Sequence, residues 1–297
     1  MKTVCIFGGS GFLGSYVADI LSLKGFNVII YDKIKSPWLK KDQTAVLGDI
    51  LDFNHVENTL KNIDYVYNFA GLSDLNDGLD KPIETIEKNI LGNAYILEAC
   101  RLNKVKRFFY ASSIYVFSHL GGFYRCSKQS SEQYIEEYNR TYGLKYTILR
   151  YGSLYGPRSD NSNGMFRLIK KAIENKKVIY SGDKKSTREY IHVEDAAKAS
   201  TEIIENNDFI NQAVMLTGDQ SMRTYDLAIR VSEILNLTYM QDQKKDPKEN
   251  QIAHYTKTPH TYSPKIGKKF NLISSINLDQ GLLQLIDFVK KNNCVKK

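Results

Sequence analysis

Three glycines, Gly8, Gly11 and Gly14, stand between an apolar segment and an amphipathic segment at the start of the chain. Glycine has no side chain, so it permits a tight turn and lets a phosphate approach the backbone closely. The helix that follows directs its free N–H groups and the positive end of its dipole toward the same place. A second apolar segment ends in Asp32, 18 residues beyond Gly14, where a carboxylate can accept hydrogen bonds from an adenosine ribose. The pattern predicts a strand–turn–helix unit that binds the pyrophosphate of a dinucleotide.

The first half of the chain alternates short apolar segments with longer amphipathic ones, which predicts strands and helices in turn. The predicted strands are Val4–Phe7, Val28–Tyr31, Ala45–Leu47, Tyr65–Phe69, Arg107–Ala111 and Tyr146–Leu149. The predicted helices are Leu13–Lys24, Phe53–Lys61, Ile83–Asn103 and Ser127–Tyr142. Such alternation implies right-handed crossovers and a parallel sheet covered on both faces, which is an α/β fold of the doubly wound type.

Several candidate residues follow the predicted strands directly. They are Gly8, Asp32, Ala70, Ser112 and Ser113. The carboxyl ends of parallel strands lie at one edge of a sheet, and ligands collect there. We therefore expect these residues to border a single crevice.

The regular alternation weakens after Gly156-Pro157. We expect residues 1–160 to form the nucleotide-binding domain and residues 161–297 to form mostly a smaller, mixed lobe that covers the substrate. Returning segments are expected near 188–217. One or both of Tyr190–Val193 and Ala213–Leu216 should rejoin the main sheet.

The net charge of +8 is concentrated late in the chain, because Met240–Lys297 holds eleven lysines, no arginine and five acidic residues. A lysine-rich surface without interleaved arginines and aromatic residues does not predict a nucleic-acid partner. An anionic small substrate would also benefit from a positive field.

Hydrophobic residues make up 42% of the chain, and no run approaches 18 apolar residues, so no membrane span is expected. The first predicted strand begins at Thr3, so we expect no secretory leader. The four cysteines are scattered, which favours reduced thiols in a cytoplasmic protein and predicts no metal site.

Tyr124 and Lys128 lie four residues apart, so they occupy one face of a helix. A free phenol titrates near 10, and a neighbouring ammonium group or a positive nicotinamide ring favours the phenolate and lowers this pKa. Ser113, at the end of the preceding strand, can bond the reacting oxygen. The three residues predict a catalytic set that removes the proton of an alcohol as hydride leaves the same carbon.

Longer segments extend this pattern along the chain. They are Gly48–Ile50, Tyr67–Leu72, Asn89–Asn93, Ser112–Ser118, Tyr124–Lys128, Leu149–Pro157, Ser181–Asp183 and Thr187–Asp195. With the glycine motif and Asp32, they make the chain resemble the extended short-chain dehydrogenases/reductases. Within these, the resemblance is to the NAD-dependent sugar-nucleotide epimerase/dehydratase family, and in particular to the UDP-glucose/galactose 4-epimerases. It covers nearly the whole chain and implies a Rossmann-type sheet with a smaller C-terminal substrate lobe.

The resemblance assigns expected roles to further residues. The expected NAD contacts are Gly8, Gly11, Phe12, Leu13, Asp32, Asp49, Ile50, Phe69, Ala70, Gly71, Asn89, Tyr124, Lys128 and Tyr151. Asp49 and Ile50 would lie at the adenine, and Tyr151 near the nicotinamide. A carboxylate at Asp32 would repel a 2′-phosphate and favours NAD over NADP, although the nearby Lys33 and Lys35 oppose this preference.

The expected substrate contacts are Ser73, Ser113, Ser153, Arg188 and Lys257. Arg188 resembles the arginine that clamps the substrate pyrophosphate, a role suited to guanidinium geometry; an arginine at a sheet edge is the alternative. Three of the other positions depart from the family pattern. Relatives often have asparagine in place of Ser153, galactose-type epimerases have lysine in place of Ser73, and Lys257 stands near a position that is usually arginine.

Other departures lie beside the catalytic set. Dehydratases of the family carry Asp-Glu directly after the active-site serine or threonine, and decarboxylases carry a glutamate, whereas this chain has Ile114-Tyr115. Dehydration is disfavoured because no carboxylate can remove a proton beside the ketone. Only ten residues separate Ser113 from Tyr124, and Gly121-Gly122 can supply the sharp turn that this short loop needs.

These features predict an NAD-dependent epimerase of a nucleotide-diphosphate sugar, acting at carbon 4 through a transient 4-keto intermediate. A 4-keto nucleotide-sugar reductase that uses NADH or NADPH is the alternative, and a non-catalytic dinucleotide-binding scaffold or sensor ranks below it. The family also implies a homodimer through Ile83–Asn103 and Ser127–Tyr142. The helical spacing of Ile86, Ile90, Ala94, Leu97, Tyr134 and Tyr138 agrees with such pairing, although packing against the sheet explains the same stripes.

Overall fold

The computed structural model describes residues 1–118, 120–218 and 221–241. The strands among these residues are β1 (Thr3–Phe7), β2 (Asn27–Asp32), β3 (Gln43–Leu47), β4 (Tyr65–Asn68), β5 (Arg107–Ser113), β6 (Tyr146–Tyr151), β7 (Ser153–Tyr155), β8 (Lys177–Tyr180), β9 (Thr187–His192), β10 (Gln212–Leu216), β11 (Ser221–Arg223) and β12 (Thr238–Gln241). The α-helices are α1 (Phe12–Leu23), α2 (Phe53–Thr59), α3 (Leu75–Asp80), α4 (Pro82–Ile86), α5 (Gly92–Leu102), α6 (Gly122–Tyr142), α7 (Gly164–Asn175), α8 (Val193–Glu202) and α9 (Thr224–Leu235).

Seven strands form one sheet in the order β10-β6-β5-β4-β1-β2-β3, and every neighbouring pair is parallel. The order reverses at β1, because β2 lies on one side of it and β4 on the other. This is the predicted doubly wound, Rossmann-type α/β fold, and a ligand crevice is expected where the order reverses.

Alternating side chains of β1 explain why the sheet is covered on both faces. Val4 and Ile6 belong to one apolar cluster, which includes residues of α1 and α8. Cys5 and Phe7 belong to a second cluster, with residues of α2, α5 and α6. Because successive side chains of a strand point to opposite faces, one apolar strand serves both layers.

Two smaller sheets complete the described structure. One has the order β11-β9-β7, and the other pairs β12 with β8. Of the two segments expected to return, Ala213–Leu216 lies in β10, at the edge of the main sheet beside β6. Tyr190–Val193 instead covers the end of β9 and the first residue of α8, so this part of the chain lies in the three-stranded sheet.

Two predicted helices differ in detail from the structure. The predicted helix Ile83–Asn103 is divided into α4, a π-helical turn at Glu87–Leu91, and α5. The predicted helix Ser127–Tyr142 begins five residues earlier, at Gly122. Gly121 and Gly122 have φ values of +104° and +51°, so the chain turns sharply there before the helix starts.

We expect Gly14→Ala to destabilise the fold, because an added Cβ would lie 2.3 Å from the carbonyl oxygen of Gly8. Overpacking of this kind costs about 1–3 kcal/mol of unfolding free energy. Gly164→Ala, at the start of α7, is the matched control, since the nearest neighbour of its added Cβ is Arg167 Nη2 at 3.9 Å. Its stability should stay within about 1 kcal/mol of wild type. Urea denaturation measures both, and equal stabilities of the two variants would contradict the packing argument.

Candidate active site

A cavity of about 940 Å³ lies at the carboxyl edge of the seven-stranded sheet. Most residues predicted from the sequence line it: Gly8, Gly11, Phe12, Leu13, Asp32, Ile50, Phe69, Ala70, Gly71, Ser73, Ser113, Tyr124, Lys128, Tyr151, Ser153 and Arg188. The structure therefore brings the expected dinucleotide, catalytic and substrate residues to one place. Lys257 lies outside the described residues.

The glycine turn is held between two strands. Gly8 has a φ of +73°, and an added Cβ would lie 2.6 Å from the backbone nitrogen of Ala70. Its N–H donates to the carbonyl of Tyr31 at 2.9 Å. α1 starts at Phe12, directly after Gly11, and its first turn contains no acidic side chain. Backbone donors and a helix N-terminus thus face the cavity, an arrangement that suits a phosphate.

Asp32 ends β2 and fixes the glycine turn, because its Oδ2 accepts a hydrogen bond from the Ser10 N–H at 3.0 Å. The ammonium of the neighbouring Lys33 lies 2.9 Å from Asp49 Oδ2. Burial opposes ionisation of Asp49, but the Leu51 N–H and Lys33 outweigh it and hold the pKa of Asp49 below its usual value. Asp49 therefore neutralises the charge of Lys33. As a result, Lys33 opposes the preference for NAD over NADP less than the sequence alone predicts. Asp49 itself is absent from the described lining of the cavity.

Lys128 lies under the end of β5. Its Nζ donates to the carbonyl of Ala111 at 2.7 Å and lies 4.7 Å from the centre of the Tyr110 ring. The same Nζ is 5.7 Å from the centre of the Tyr124 ring. Burial lowers the pKa of Lys128 to about 8, although Glu132 raises it in part. The lysine is thus held close to the phenol at a pKa where it can both hold and release a proton.

Tyr124 lies in the first turn of α6, facing Ser113. Burial raises the pKa of Tyr124 to about 12, the interaction with the Ser113 hydroxyl lowers it, and Tyr115 raises it further. Lys128 is not among the groups that shift this pKa, so the chain by itself does not produce the expected lowering; the expected contribution of the nicotinamide ring stays a prediction. Tyr124 is a neutral phenol at neutral pH unless additional positive charge is brought to the cavity.

A buried ion pair joins the strands and the helix that carry Ser113, Tyr124 and Lys128. Glu132, one turn beyond Lys128 on α6, accepts two hydrogen bonds from the Arg150 guanidinium at 3.0 and 2.6 Å. It also accepts a hydrogen bond from the Ser112 hydroxyl. These bonds join the ends of β5 and β6 to the helix that carries Tyr124. Glu132 was not selected from the sequence, although its i+4 spacing from Lys128 is a signal that could have identified it.

Asn89 was expected to contact the cofactor, but it lies buried in the π-helical turn and is not among the cavity-lining residues. Its side-chain oxygen accepts from the Leu72 N–H at 2.7 Å, and its amide donates to Leu72 O and to Ser127 Oγ at 3.0 and 2.9 Å. Gly71, with a φ of +139°, packs against the same oxygen. Asn89 therefore positions the loop after β4 rather than facing the cavity.

The far side of the cavity is formed by residues 153–190. Arg188 is buried in β9, and its Nη1 donates to the carbonyl of Thr187 at 3.2 Å. Arg167 of α7 forms an ion pair with Asp74 at 2.8 Å, and both residues line the cavity. Asp74 directly precedes α3, in which Gly78 packs against the backbone nitrogen of Tyr124. This ion pair thus joins α7, in the far wall, to the segment that packs beside Tyr124.

Several cavity residues were not selected as sites: Asp74, Tyr115, Arg167, Lys171 and Tyr190. Tyr115 and Tyr190 lie within segments that carry the family resemblance, whereas the other three have no local sequence signal. Asp74 and Arg167 are 93 residues apart in the chain, so only the fold brings them together. Within residues 1–118, 120–218 and 221–241, no group of three or more His, Cys, Asp or Glu side chains is placed to hold a metal ion. Nor does any helix there have the length and apolar character needed to cross a membrane.

The profile of the NAD-dependent epimerase/dehydratase family matches residues 4–216. The chain belongs to this family. It is an enzyme of nucleotide-sugar conversion, and its cofactor is NAD. The match runs from the second residue of β1 to the end of β10 and includes Ser113, Tyr124 and Lys128.

Curated relatives of this chain are assigned different reactions. A protein of Methanocaldococcus jannaschii, provisionally assigned as a UDP-glucose 4-epimerase, is 30% identical over 231 residues, covering 70% of this chain and 75% of the relative. A dTDP-D-glucose 4,6-dehydratase of Dictyostelium discoideum is 26% identical over 271 residues, covering 79% of this chain and 62% of the relative. Family membership therefore leaves the individual reaction open.

Among solved structures, the UDP-glucose 4-epimerase of Thermus thermophilus in complex with NAD is similar to this chain with a TM-score of 0.78. The similarity covers 90% of this chain and 95% of that chain at 23% sequence identity. It supports the fold of this family member. The cradle at Gly8 and the carboxylate at the end of β2 show that the residues present fit the family's cofactor.

We expect Lys128→Met to change how stability depends on pH. Burial lowers the pKa of Lys128 from 10.5 to about 8. Between pH 8 and pH 10, Lys128 is therefore more fully protonated in the unfolded chain than in the folded protein. The unfolding free energy of wild type should therefore rise relative to that of Lys128→Met across this window, by about 2 kcal/mol. Urea denaturation at pH 8, 9 and 10 measures the difference.

The exposed Lys145 provides the matched control for this experiment. The difference between wild type and Lys145→Met should stay constant over the same pH range. A constant difference for Lys128→Met as well would show that the lysine is not desolvated as the structure indicates.

Proposed function

We propose that the protein is an NAD-dependent epimerase of a nucleotide-diphosphate sugar, acting at carbon 4 through a 4-keto sugar. The observation that carries the proposal is the placement of Ser113, Tyr124 and Lys128 at one end of a cavity that also contains the glycine turn and Arg188. The arrangement can hold a dinucleotide, a reactive alcohol and a diphosphate together. The assignment of the M. jannaschii relative is in line with this reaction.

The proposed cofactor contacts follow the geometry. Gly8, Gly11 and the first turn of α1 would hold the pyrophosphate of NAD, and Asp32 would accept hydrogen bonds from the adenosine ribose. Lys128 and Tyr151 would lie toward the nicotinamide. NAD supplies reversible hydride acceptance, and its positive ring adds the charge that favours ionisation of Tyr124.

The residues of the chain supply acid–base chemistry and orientation. Tyr124 accepts the proton of the sugar 4-hydroxyl as the carbonyl forms, and Ser113 bonds the same oxygen. Lys128, with its pKa near 8, supports transfer of that proton and its return. Arg188 holds the diphosphate while the flat keto sugar turns within the cavity and presents its other face. Ser73 and Ser153 line the same cavity and would contact the sugar nucleotide there.

The absence of a carboxylate at positions 114–115 favours epimerisation over dehydration, because nothing there can remove a proton beside the ketone. A 4-keto nucleotide-sugar reductase would use the same three catalytic residues once per turnover and release oxidised cofactor. It is the second candidate. A non-catalytic scaffold is disfavoured, because both Tyr124 and Lys128 are retained.

We also propose a homodimer formed through α4, α5 and α6. Apolar side chains are exposed on these helices and the turn between them: Ile83, Ile86, Leu91, Leu102, Tyr134 and Tyr142. Leu97 is one of the residues whose helical spacing agreed with pairing, but it is fully buried and belongs to the core beside Ile96.

We also propose a cytoplasmic location, because the cysteines of the described residues, Cys5, Cys100 and Cys126, are all free thiols.

Two measurements test the proposed function. Purified protein is denatured and the released dinucleotide identified, and fresh protein is incubated with UDP-glucose while NMR follows inversion at carbon 4. We expect bound NAD and redox-neutral formation of the 4-epimer. Tyr124→Phe should lower the rate by about 100-fold or more, because it removes the acid–base group. Tyr134→Phe, on the exposed face of the same helix, should leave it unchanged.

Protein that neither carries nor binds NAD and leaves every nucleotide sugar unchanged would contradict the proposal. Stoichiometric consumption of NADH or NADPH with a 4-keto nucleotide sugar, without interconversion of UDP-sugars, would establish the reductase instead.

The oligomeric state is tested by analytical ultracentrifugation. We expect twice the chain mass of 34.0 kDa for wild type and the chain mass for Ile86→Glu, because a charge within an apolar interface is costly. Ile234→Glu, on the exposed face of α9, should remain a dimer. A monomeric wild type would rule out this assembly.

A further inference from the structure

Tyr115 is fixed to the same turn as the catalytic serine. It is the second residue of the 3₁₀-helical turn Ile114–Phe117 that follows β5. Its N–H donates to Ser113 Oγ at 3.3 Å, and its carbonyl accepts from the Ser118 N–H at 2.9 Å. The side chain lines the cavity while only 9% of the residue is exposed. A large side chain is therefore held rigidly at the wall beside the reacting groups.

Tyr115 interacts with residues at both ends of the proposed sugar site. The ring centre of Tyr115 lies 6.4 Å from that of Tyr124, with the two planes almost perpendicular. Tyr115 also interacts electrostatically with Arg188 and with Tyr190, and both of these residues line the cavity. A sugar whose hydroxyl meets Tyr124 and whose diphosphate reaches Arg188 would therefore lie close to Tyr115.

The short loop before α6 supports this position. An added Cβ on Gly121 would lie 2.8 Å from Tyr115 Cδ1, so the loop backbone packs directly against the ring. Leu75 and Met215 pack against the same small cluster of Ile114 and Tyr115. Because the ring is confined on several sides, it cannot move away to make room for a larger ligand.

The chemistry of the side chain suits contact with a sugar. Burial raises the pKa of Tyr115, so it remains a neutral phenol that can both donate and accept a hydrogen bond. Its ring offers a flat apolar surface next to that hydroxyl. It carries no carboxylate and cannot remove a proton from carbon.

We propose that Tyr115 determines the specificity of the sugar subsite, an inference that rests on the proposed function. Its hydroxyl binds a polar group of the sugar, and its ring limits the space beside the reacting carbon to a hexose without a bulky acyl substituent. The substrate class is thus an unsubstituted nucleotide-diphosphate hexose rather than an N-acylated one.

The first experiment measures binding, so that it does not depend on turnover. Calorimetry on NAD-loaded protein gives the Kd of UDP and of UDP-glucose, and their ratio isolates the contribution of the sugar. Wild type should prefer UDP-glucose. Tyr115→Ala should lower this preference about 10-fold, and Tyr115→Phe about 3-fold, because it removes only the hydroxyl. Tyr65→Ala and Tyr65→Phe are matched controls, since Tyr65 is 8% exposed in β4 and is not among the residues that line the cavity.

The second experiment compares kcat/KM for UDP-N-acetylglucosamine with that for UDP-glucose. A ratio of two substrates on one preparation is unaffected by the fraction of protein that is folded. We expect Tyr115→Ala to raise this ratio at least 10-fold, with Tyr115→Phe and both Tyr65 variants close to wild type.

The outcomes separate the two proposals. Equal binding of UDP and UDP-glucose by wild type, or a binding ratio unchanged within twofold in both Tyr115 variants, would overturn the role of Tyr115. A changed binding ratio with an unchanged kcat/KM ratio would overturn the size limit. A changed binding ratio in protein that interconverts no nucleotide sugar would support the sugar contact and contradict the epimerase.

Discussion

The close packing of glycines at the crest of the sheet is the constraint on which the cavity depends. Gly8 lies against the backbone of Ala70, and Gly14 lies against the carbonyl of Gly8, at distances that leave no room for a Cβ. These contacts bring β1, β4 and the N-terminus of α1 together at the reversal of strand order. With those elements fixed, every other strand end is fixed relative to them by parallel pairing. The glycine turn and the side chains of Ser113, Tyr124 and Lys128 therefore share one edge of the sheet.

The end of the cavity that contains Lys128 and Tyr124 illustrates how burial shapes acid–base chemistry. Lys128 is buried, donates to Ala111 and lies one helical turn from the Glu132–Arg150 ion pair. Burial makes its ammonium form costly, whereas the nearby carboxylate favours it, and the balance leaves its pKa about 8. Tyr124 experiences the same low-dielectric surroundings, which favour the neutral phenol. The protein thus holds two proton-exchanging groups whose charges respond to whatever ligand charge enters the cavity.

Much of the fold could be predicted because its signals are local. The apolar strands, the glycine turn and the carboxylate at Asp32 are short-range patterns, and the parallel sheet follows from their alternation with helices. The four-residue spacing of Tyr124 and Lys128 is also a local pattern, and it predicted that both side chains lie on one face of a helix. Family resemblance added Arg188, for which the sequence alone also allowed a sheet-edge arginine. Each of these residues lies at the cavity.

The remaining features depend on distant parts of the chain. The Asp74–Arg167 ion pair joins residues with no common local pattern, and the π-helical turn directs Asn89 toward the Leu72 backbone rather than toward the cavity. The raised pKa of Tyr124 follows from how deeply the fold buries it, which spacing along a helix does not reveal.

The position of β10 has a consequence for motion. β10 pairs with β6, so the chain leaves the main sheet after β6 and returns to the strand beside it. Because β10 runs parallel to β6, the segment between them leaves at the carboxyl edge of the sheet, after Tyr151, and returns at the opposite edge, where Gln212 pairs with Thr147. The segment returns across one face of the sheet through α8, whose Val193, Ala196 and Ala197 lie in the same apolar cluster as residues of α1. Movement of the wall that carries Arg167 and Arg188 is therefore confined to the residues between β6 and α8, which are anchored to the main sheet at both of these elements.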